Sequence, residues 1–369
     1  MAGSLASETF SGLGGDDRLY GDGFLVGLAA TEARQVYRLY QATLGRAPDG
    51  AGLTGWTQGL AEGTLTLTQA VAGFTGSAEF QATYGALDDT GFITLLYNNV
   101  LGRTPAAAEV NAWLASLAGG NTREGVVLGF SESTEFKTNT NAAAQAFADG
   151  QTPSLWADDV FRLYQATLGR APDLAGFLGW ADTLGSGRAF SAVVTGFVAS
   201  QEFQNTYGAL DDTGFITLLY NNVLGRSPAA AEVNAWLANM AGGASREAVV
   251  EGFAQSQQFI NGTAGALKTW VRAQGWHDEL NGGAGSNVLA GGILADRFVF
   301  DTTDGGSHTV LDLEAWDLMA FQNFGYASAA DARSHMTQSG ADVVFSDQGV
   351  TVTLEHVTLA QIADDMIQV

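Results

Sequence analysis

The chain has 369 residues, 16 basic against 39 acidic, a net charge of −23 and no cysteine. That length allows two or three domains. The charge argues against nucleic acid and anionic membranes as partners, because affinity for both rests on basic residues. The missing cysteine excludes disulfides, thiolate zinc sites and cysteine nucleophiles. No apolar run is long enough for a membrane span.

Residues 1–28 are Gly/Asp-rich and lack the charged start and apolar core of a cleavable signal peptide. From Thr31 the pattern turns helical, with Val36, Leu39, Tyr40, Thr43 and Leu44 at three- and four-residue steps. Gly45 suits a left-handed C-terminal cap, and Pro48 blocks continuation. A second helix is predicted from Asp49 to Leu60 and a third from Leu67 to Phe80. The phrase Tyr–x3–Leu-Gly-Arg–x–Pro–x7–Trp spans Tyr40–Trp56 and returns at Tyr97–Trp113, Tyr164–Trp180 and Tyr220–Trp236. Glu79–Ala115 and Glu202–Ala238 differ only at Ala82/Asn205 and Thr104/Ser227. The helical region therefore reads as four three-helix units in two tandem halves, 29–140 and 156–265, joined by a linker at 141–155.

After about Gly275 the composition changes. Leu280, Leu289 and Phe298 are nine apart, as are Asp278, Asn287 and Asp296, with Gly282-Gly283-Ala284-Gly285 and Gly291-Gly292 between them. Glycine-rich nonapeptides of this kind form the turns of a parallel β-roll. Glycines let loop carbonyls point inward, and one carboxylate per turn completes an oxygen shell suited to Ca²⁺. Gly12–Asp22, with Phe10 nine residues before Leu19, is a second trace, and we infer that both ends pair into one roll. The candidate calcium set is Asp17, Asp278, Gly283, Gly285, Asn287 and Asp296. Departures stand at Ser286, Asn287, Leu294 and Leu13. Strand-like alternation continues through a β-rich segment, 301–369. The fold class is mainly α with a β part: helical units plus a small parallel β-roll over 270–300 and the β-rich segment.

Gly282–Phe300 resembles the RTX (hemolysin-type calcium-binding) repeat. Asp301–Val369 resembles the C-terminal segment of serralysin-type and other RTX proteins, which implies export through a type I secretion apparatus. The LGRxP…W units resemble a helical repeat family of unknown function often fused to RTX regions in alphaproteobacteria. More loosely, they resemble the region with which S-layer proteins grip lipopolysaccharide, which implies binding to a glycan or cell surface.

Candidate catalytic constellations are not found. All four histidines lie after residue 276, without HxxxH or HxH spacing, and no GxSxG, Walker or HExxH motif occurs. The repeated Arg46, Arg103, Arg170 and Arg226 either cap and pair within the fold or bind acidic sugars and lipopolysaccharide phosphates. The repeated Trp and Tyr are expected to pack together in the core. The expected protein is secreted, calcium-stabilised and non-enzymatic, attaching to surface polysaccharide. The alternatives are a self-associating S-layer or matrix protein and, third, an uncharacterised extracellular enzyme.

Overall fold

The computed structural model describes residues 7–22 and 26–369, so parts of the 1–28 segment lie outside the described residues. It is mainly helical with a β part. Two compact units divide it: residues 26–151, and the remainder.

In the first unit α1 (Ala30–Leu44), α2 (Gly50–Ala61), α3 (Leu67–Thr75) and α4 (Ala78–Tyr84) form one repeat. A second is formed by α5 (Asp89–Leu101), α6 (Ala107–Ala118), α7 (Arg123–Ser131) and α8 (Thr134–Gly150). Each repeat thus has four helices where three were expected. The break comes at Ser77, whose side chain accepts the Phe80 N–H and starts a new helix; Ser133 does the same for Phe136. Such a serine cap satisfies an amide that the first turn leaves free. The linker expected at 141–155 also needs correcting, because α8 continues through Gly150.

The second unit repeats the pattern with α9 (Ala157–Leu168), α10 (Leu174–Gly185), α11 (Phe190–Ala199) and α12 (Gln201–Tyr207). Then come α13 (Asp212–Leu224), α14 (Ala230–Ala241), α15 (Arg246–Ala254) and α16 (Gln257–Ala273). The second helical half extends past the expected limit of 265, to Ala273.

The repeated phrase organises each core. Gly45, Gly102, Gly169 and Gly225 end their helices at φ 63–64°, a conformation costly for any other residue. Tyr40, Tyr97, Tyr164 and Tyr220 are buried, each set edge-on to a phenylalanine: Phe74, Phe130, Phe197 and Phe253 at 4.8–4.9 Å. Trp56, Trp113, Trp180 and Trp236 are half-buried on the same phenylalanines, at 5.1–5.3 Å. Three of these indoles also press on the glycine before the phenylalanine. A Cβ at Gly129 would lie 2.5 Å from Trp113, whereas one at Gly196 would lie 3.5 Å from Trp180. Gly129→Ala is therefore expected to destabilise its unit by about 1–3 kcal/mol through overpacking. Gly196→Ala should be neutral or stabilise by up to about 1 kcal/mol through helix propensity. Equal effects of the two changes in chemical denaturation would refute this account.

The strands form two sheets. One has the order β1 (Thr9–Ser11), β3 (Glu279–Asn281), β5 (Arg297–Asp301), β7 (Leu318–Gln322) and β11 (Ile367–Gln368), all parallel. The other runs β2 (Arg18–Tyr20), β4 (Ser286–Ala290), β6 (Gly306–Val310) and β10 (Val350–Leu354) in parallel. It is closed by antiparallel β9 (Asp342–Asp347) and β8 (Met336–Ser339). A short helix, α17 (Ala329–Ser334), precedes β8. The chain alternates between sheets from β1 to β7, which makes a parallel β-roll. Phe10 pairs with Leu280 and Leu19 with Leu289, so the Gly/Asp-rich segments before and after the helices share one roll. Phe10, Leu19, Leu280, Leu289, Phe298, Val310 and Met319 fill its interior. The α16 residues Leu267 and Val271 share a second core with Ile293, Leu294 and Trp316 of the roll.

Candidate metal centre

The turns of the roll line two opposite edges. On one edge lie the turns before β2, β4 and β6. Three residues take equivalent positions there: Asp17, Asn287 and His308, of which only the first is acidic. The Asp17 N–H donates to Asn287 Oδ1 at 2.8 Å. Asn287 Nδ2 donates to the Gly283 carbonyl at 3.2 Å and lies 3.3 Å from His308 Nδ1. Both ends of Asn287 are thus engaged within the protein, where a ligand oxygen was expected. Gly283 and Gly285 supply the left-handed turns, at φ 68° and 106°. Asp17 Oδ2 is buried and accepts no hydrogen bond.

The other edge carries the charge. The Glu8 N–H donates to Asp278 Oδ1 (2.7 Å), Asp278 N–H to Asp296 Oδ1 (2.8 Å) and Asp296 N–H to Asp317 Oδ1 (3.0 Å). Each carboxylate holds the preceding coil by one oxygen. The second oxygens of Asp278 and Asp296, and Asp22 Oδ1, are buried without a hydrogen bond. Asp312 accepts the Gly291 and Gly292 amides at 3.0 and 2.9 Å, and Glu314 accepts the Trp316 indole N–H at 2.8 Å. Arg272 approaches this edge, but its guanidinium goes to the Trp316 carbonyl and to Asp365.

Burial pushes these acids up. Asp22 is raised to about 8, chiefly by desolvation and then by Asp278, Asp312 and Glu8, with the Ile293 amide opposing. Desolvation also raises Asp278 and Asp312 to about 6. Asp296, Glu314 and Asp317 move upward as well, by burial and then by neighbouring carboxylates, with Arg272 opposing at Asp317. A row of acids costs this much only when no opposite charge compensates it. The donor set is oxygen-rich and includes backbone carbonyls. A Cβ on Gly21 would lie 2.2 Å from both Asp278 Oδ2 and the Gly291 carbonyl, and one on Gly291 2.3 Å from Asp296 Oδ2. These oxygens converge on the turn, and the set fits a hard divalent cation such as Ca²⁺.

Asp278 and Asp296 therefore come together on the acidic edge, apart from Asp17, Gly283, Gly285 and Asn287. Asp22, Asp312, Glu314 and Asp317 were not anticipated. The spacing from Asp296 to Asp317 is 21 residues, against 18 from Asp278 to Asp296, and that wider coil hid the repeat.

The repeated arginines lie elsewhere and are engaged. Arg46 forks onto Glu79 (3.0 and 3.2 Å) and Arg170 onto Glu202 (2.9 and 3.1 Å). Arg103 holds Glu109 and Glu135, while Arg226 holds Glu232 (2.6 and 2.8 Å). Each also covers its repeat tyrosine at 4.9–5.4 Å. Gln258 stands where the other repeats have Glu79, Glu135 and Glu202, so Arg226 keeps one carboxylate partner. Asn99 and Asn222 donate to the Tyr84 and Tyr207 hydroxyls of the preceding repeat. Among the described residues, no helix is long and apolar enough to cross a membrane.

A helical repeat array carried on a parallel roll is the class that these observations define. The chain belongs to the family described as Domain of unknown function (DUF4214), which matches residues 26–83, 72–140, 157–205 and 194–263. No curated protein matches the chain. Among solved structures, the extracellular lipase LipA from Serratia marcescens is similar at 26% identity, with a TM-score of 0.23. That likeness covers 26% of this chain and spans 15% of the lipase's own length.

Proposed function

We propose that this chain is an RTX-type extracellular protein, exported by a type I secretion apparatus, whose roll is organised by calcium outside the cell. The observation that carries this is the row of buried carboxylates with unpartnered oxygens. Such a row is strained in a calcium-poor cytoplasm and relieved where calcium is abundant. Its activity is non-enzymatic attachment to surface or matrix polysaccharide. An open cleft of about 430 Å³ supports this, bordered by Gln165, Asn222, Gln258 and Thr263 and without a titratable side chain. Amides and hydroxyls over an aromatic floor, here Phe259, suit sugar hydroxyls. The near-identical segments Glu79–Ala115 and Glu202–Ala238 present related surfaces twice, which raises avidity for a repetitive polymer.

The test is retention of the purified chain on lipopolysaccharide and capsular polysaccharide, with and without calcium. Calcium-dependent retention that falls several-fold in Gln165→Ala/Gln258→Ala, with the circular dichroism unchanged, is expected. Retention lost on changing Arg46, Arg103, Arg170 and Arg226 to Gln would instead place the ligand at the arginines. No retention together with concentration-dependent polymers would replace attachment by self-assembly. Export is read separately: residues 301–369 fused to a passenger should carry it through a type I exporter, and a retained passenger defeats that part.

A further inference from the structure

Where the chain leaves the roll for the helices, and where it returns, three side chains meet. Asp22 follows β2, while His277 and Asp278 come between α16 and β3. One ligand atom from each lies within 4.8 Å of the others. His277 Nδ1 is 3.8 Å from Asp22 Oδ1 and 3.9 Å from Asp278 Oδ2. The Asp278 side chain is fully buried and that of Asp22 is 4% exposed, and both of those oxygens lack a hydrogen bond. The Gly291 carbonyl converges on Asp278 Oδ2 at Gly21, as the blocked Cβ position shows.

An imidazole changes which ion such a group prefers. Calcium takes oxygen ligands, whereas imidazole with carboxylates suits zinc and its neighbours in the transition series. Zinc bonds of about 2.0–2.2 Å put tetrahedral ligand atoms roughly 3.4 Å apart. A closure of about half an ångström would bring the imidazole to that spacing from each carboxylate.

We propose that Asp22, His277 and Asp278, with the Gly291 carbonyl, form a zinc-class site that fastens the chain before the helical repeats to the chain after them. It rests on the reading that this edge of the roll holds cations, and adds a site of different ion preference at its outermost turn. Asp278 divides its oxygens: Oδ1 holds the Glu8 amide and Oδ2 faces the site.

The test uses the full chain, stripped with chelator and returned to millimolar Ca²⁺. It is titrated with Zn²⁺ by calorimetry and with Co²⁺ by visible absorption. Trp276, 47% exposed, is next to His277, and a Trp276→Phe difference spectrum isolates its fluorescence from that of the other tryptophans. One equivalent of Zn²⁺ is expected to bind despite excess Ca²⁺, with a Co²⁺ absorption band that zinc displaces. His277→Asn should weaken Zn²⁺ binding at least tenfold and remove the band while leaving Ca²⁺ uptake unchanged. Should that variant misfold by circular dichroism, His277→Asp keeps an oxygen ligand and should make the site Ca²⁺-competed. Zn²⁺ uptake that Ca²⁺ suppresses in the parent chain, or that survives the change of His277, overturns the proposal. A chain that takes up Zn²⁺ in this way but no Ca²⁺ defeats the calcium reading and leaves this one standing.

Discussion

Stripped of cations, the second unit should melt at a lower temperature at pH 8 than at pH 5, and calcium should reverse that order. Asp22, at about 8, and Asp278 and Asp312, at about 6, stand above the ordinary carboxylate value of 3.8. The folded state thus holds protons that the unfolded chain has released. Stability from a raised acid is fully present below the unfolded value and is lost as pH rises through the folded one. The window runs from about 4 to about 8. The groups facing these acids are Glu8, Asp296, Glu314 and Asp317, all acidic, the His277 imidazole, 3.8 Å from Asp22 and 3.9 Å from Asp278, and Arg272, which lowers Asp317. A cation inverts the balance because it binds the deprotonated row. Calcium at a hundred times its dissociation constant stabilises by about 2.7 kcal/mol per site. At roughly 2–4 °C per kcal/mol for a unit of this size, that is about 8 °C per site. Asp296→Asn should remove part of the calcium gain and flatten the pH dependence in chelator. Identical melting at both pH values in chelator, or no calcium shift at pH 8, would defeat this account.

Gly21→Ala should destabilise the roll and disturb its acidic edge. Its Cβ would stand 2.2 Å from a backbone carbonyl and from a buried carboxylate oxygen, and neither can swing aside. Overpacking alone is expected to cost about 1–3 kcal/mol. The methyl also takes the space on which Asp278 Oδ2 and the Gly291 carbonyl converge, so divalent-cation uptake at this turn should fall at least tenfold. Gly14→Ala is the matched control. Nothing lies within 4 Å of its added Cβ, and the residue is not in a left-handed conformation. It should be neutral, or stabilise by about 0.4–1 kcal/mol through the unfolded chain. Calcium calorimetry and melting on both variants decide the matter, and equal behaviour would refute it.

The repeat was legible because Tyr, Gly, Pro and Trp are each costly to replace: one fills the core, one turns the chain left-handed, one stops a helix and one covers a glycine. The fourth helix of each unit was missed although its signal was in view. Ser77, Ser133, Ser200 and Ser256 stand at matching positions, and each caps the helix that follows. They were read as part of a helix end because the intervening turn is too short to break the apolar rhythm. Half of the acidic edge was likewise hidden. Asp278 and Asp296 keep the nine-residue beat, but the next coil is three residues longer, so Asp312, Glu314 and Asp317 fall outside that pattern. Asp22 could not be linked to His277 by any local pattern, since the whole helical array lies between them.

That separation also sets an order of assembly. β1 meets β3, and β2 meets β4, across 270 residues of chain, where neighbouring coils later in the roll are 18 or 21 apart. Closing a loop of that length in a disordered chain costs roughly 2 kcal/mol more than closing one of 18, on the logarithmic dependence of loop entropy. Helical repeats that have already folded shorten the effective loop and reduce the penalty. The first coil of the roll should therefore join last, after the helices between its strands have formed.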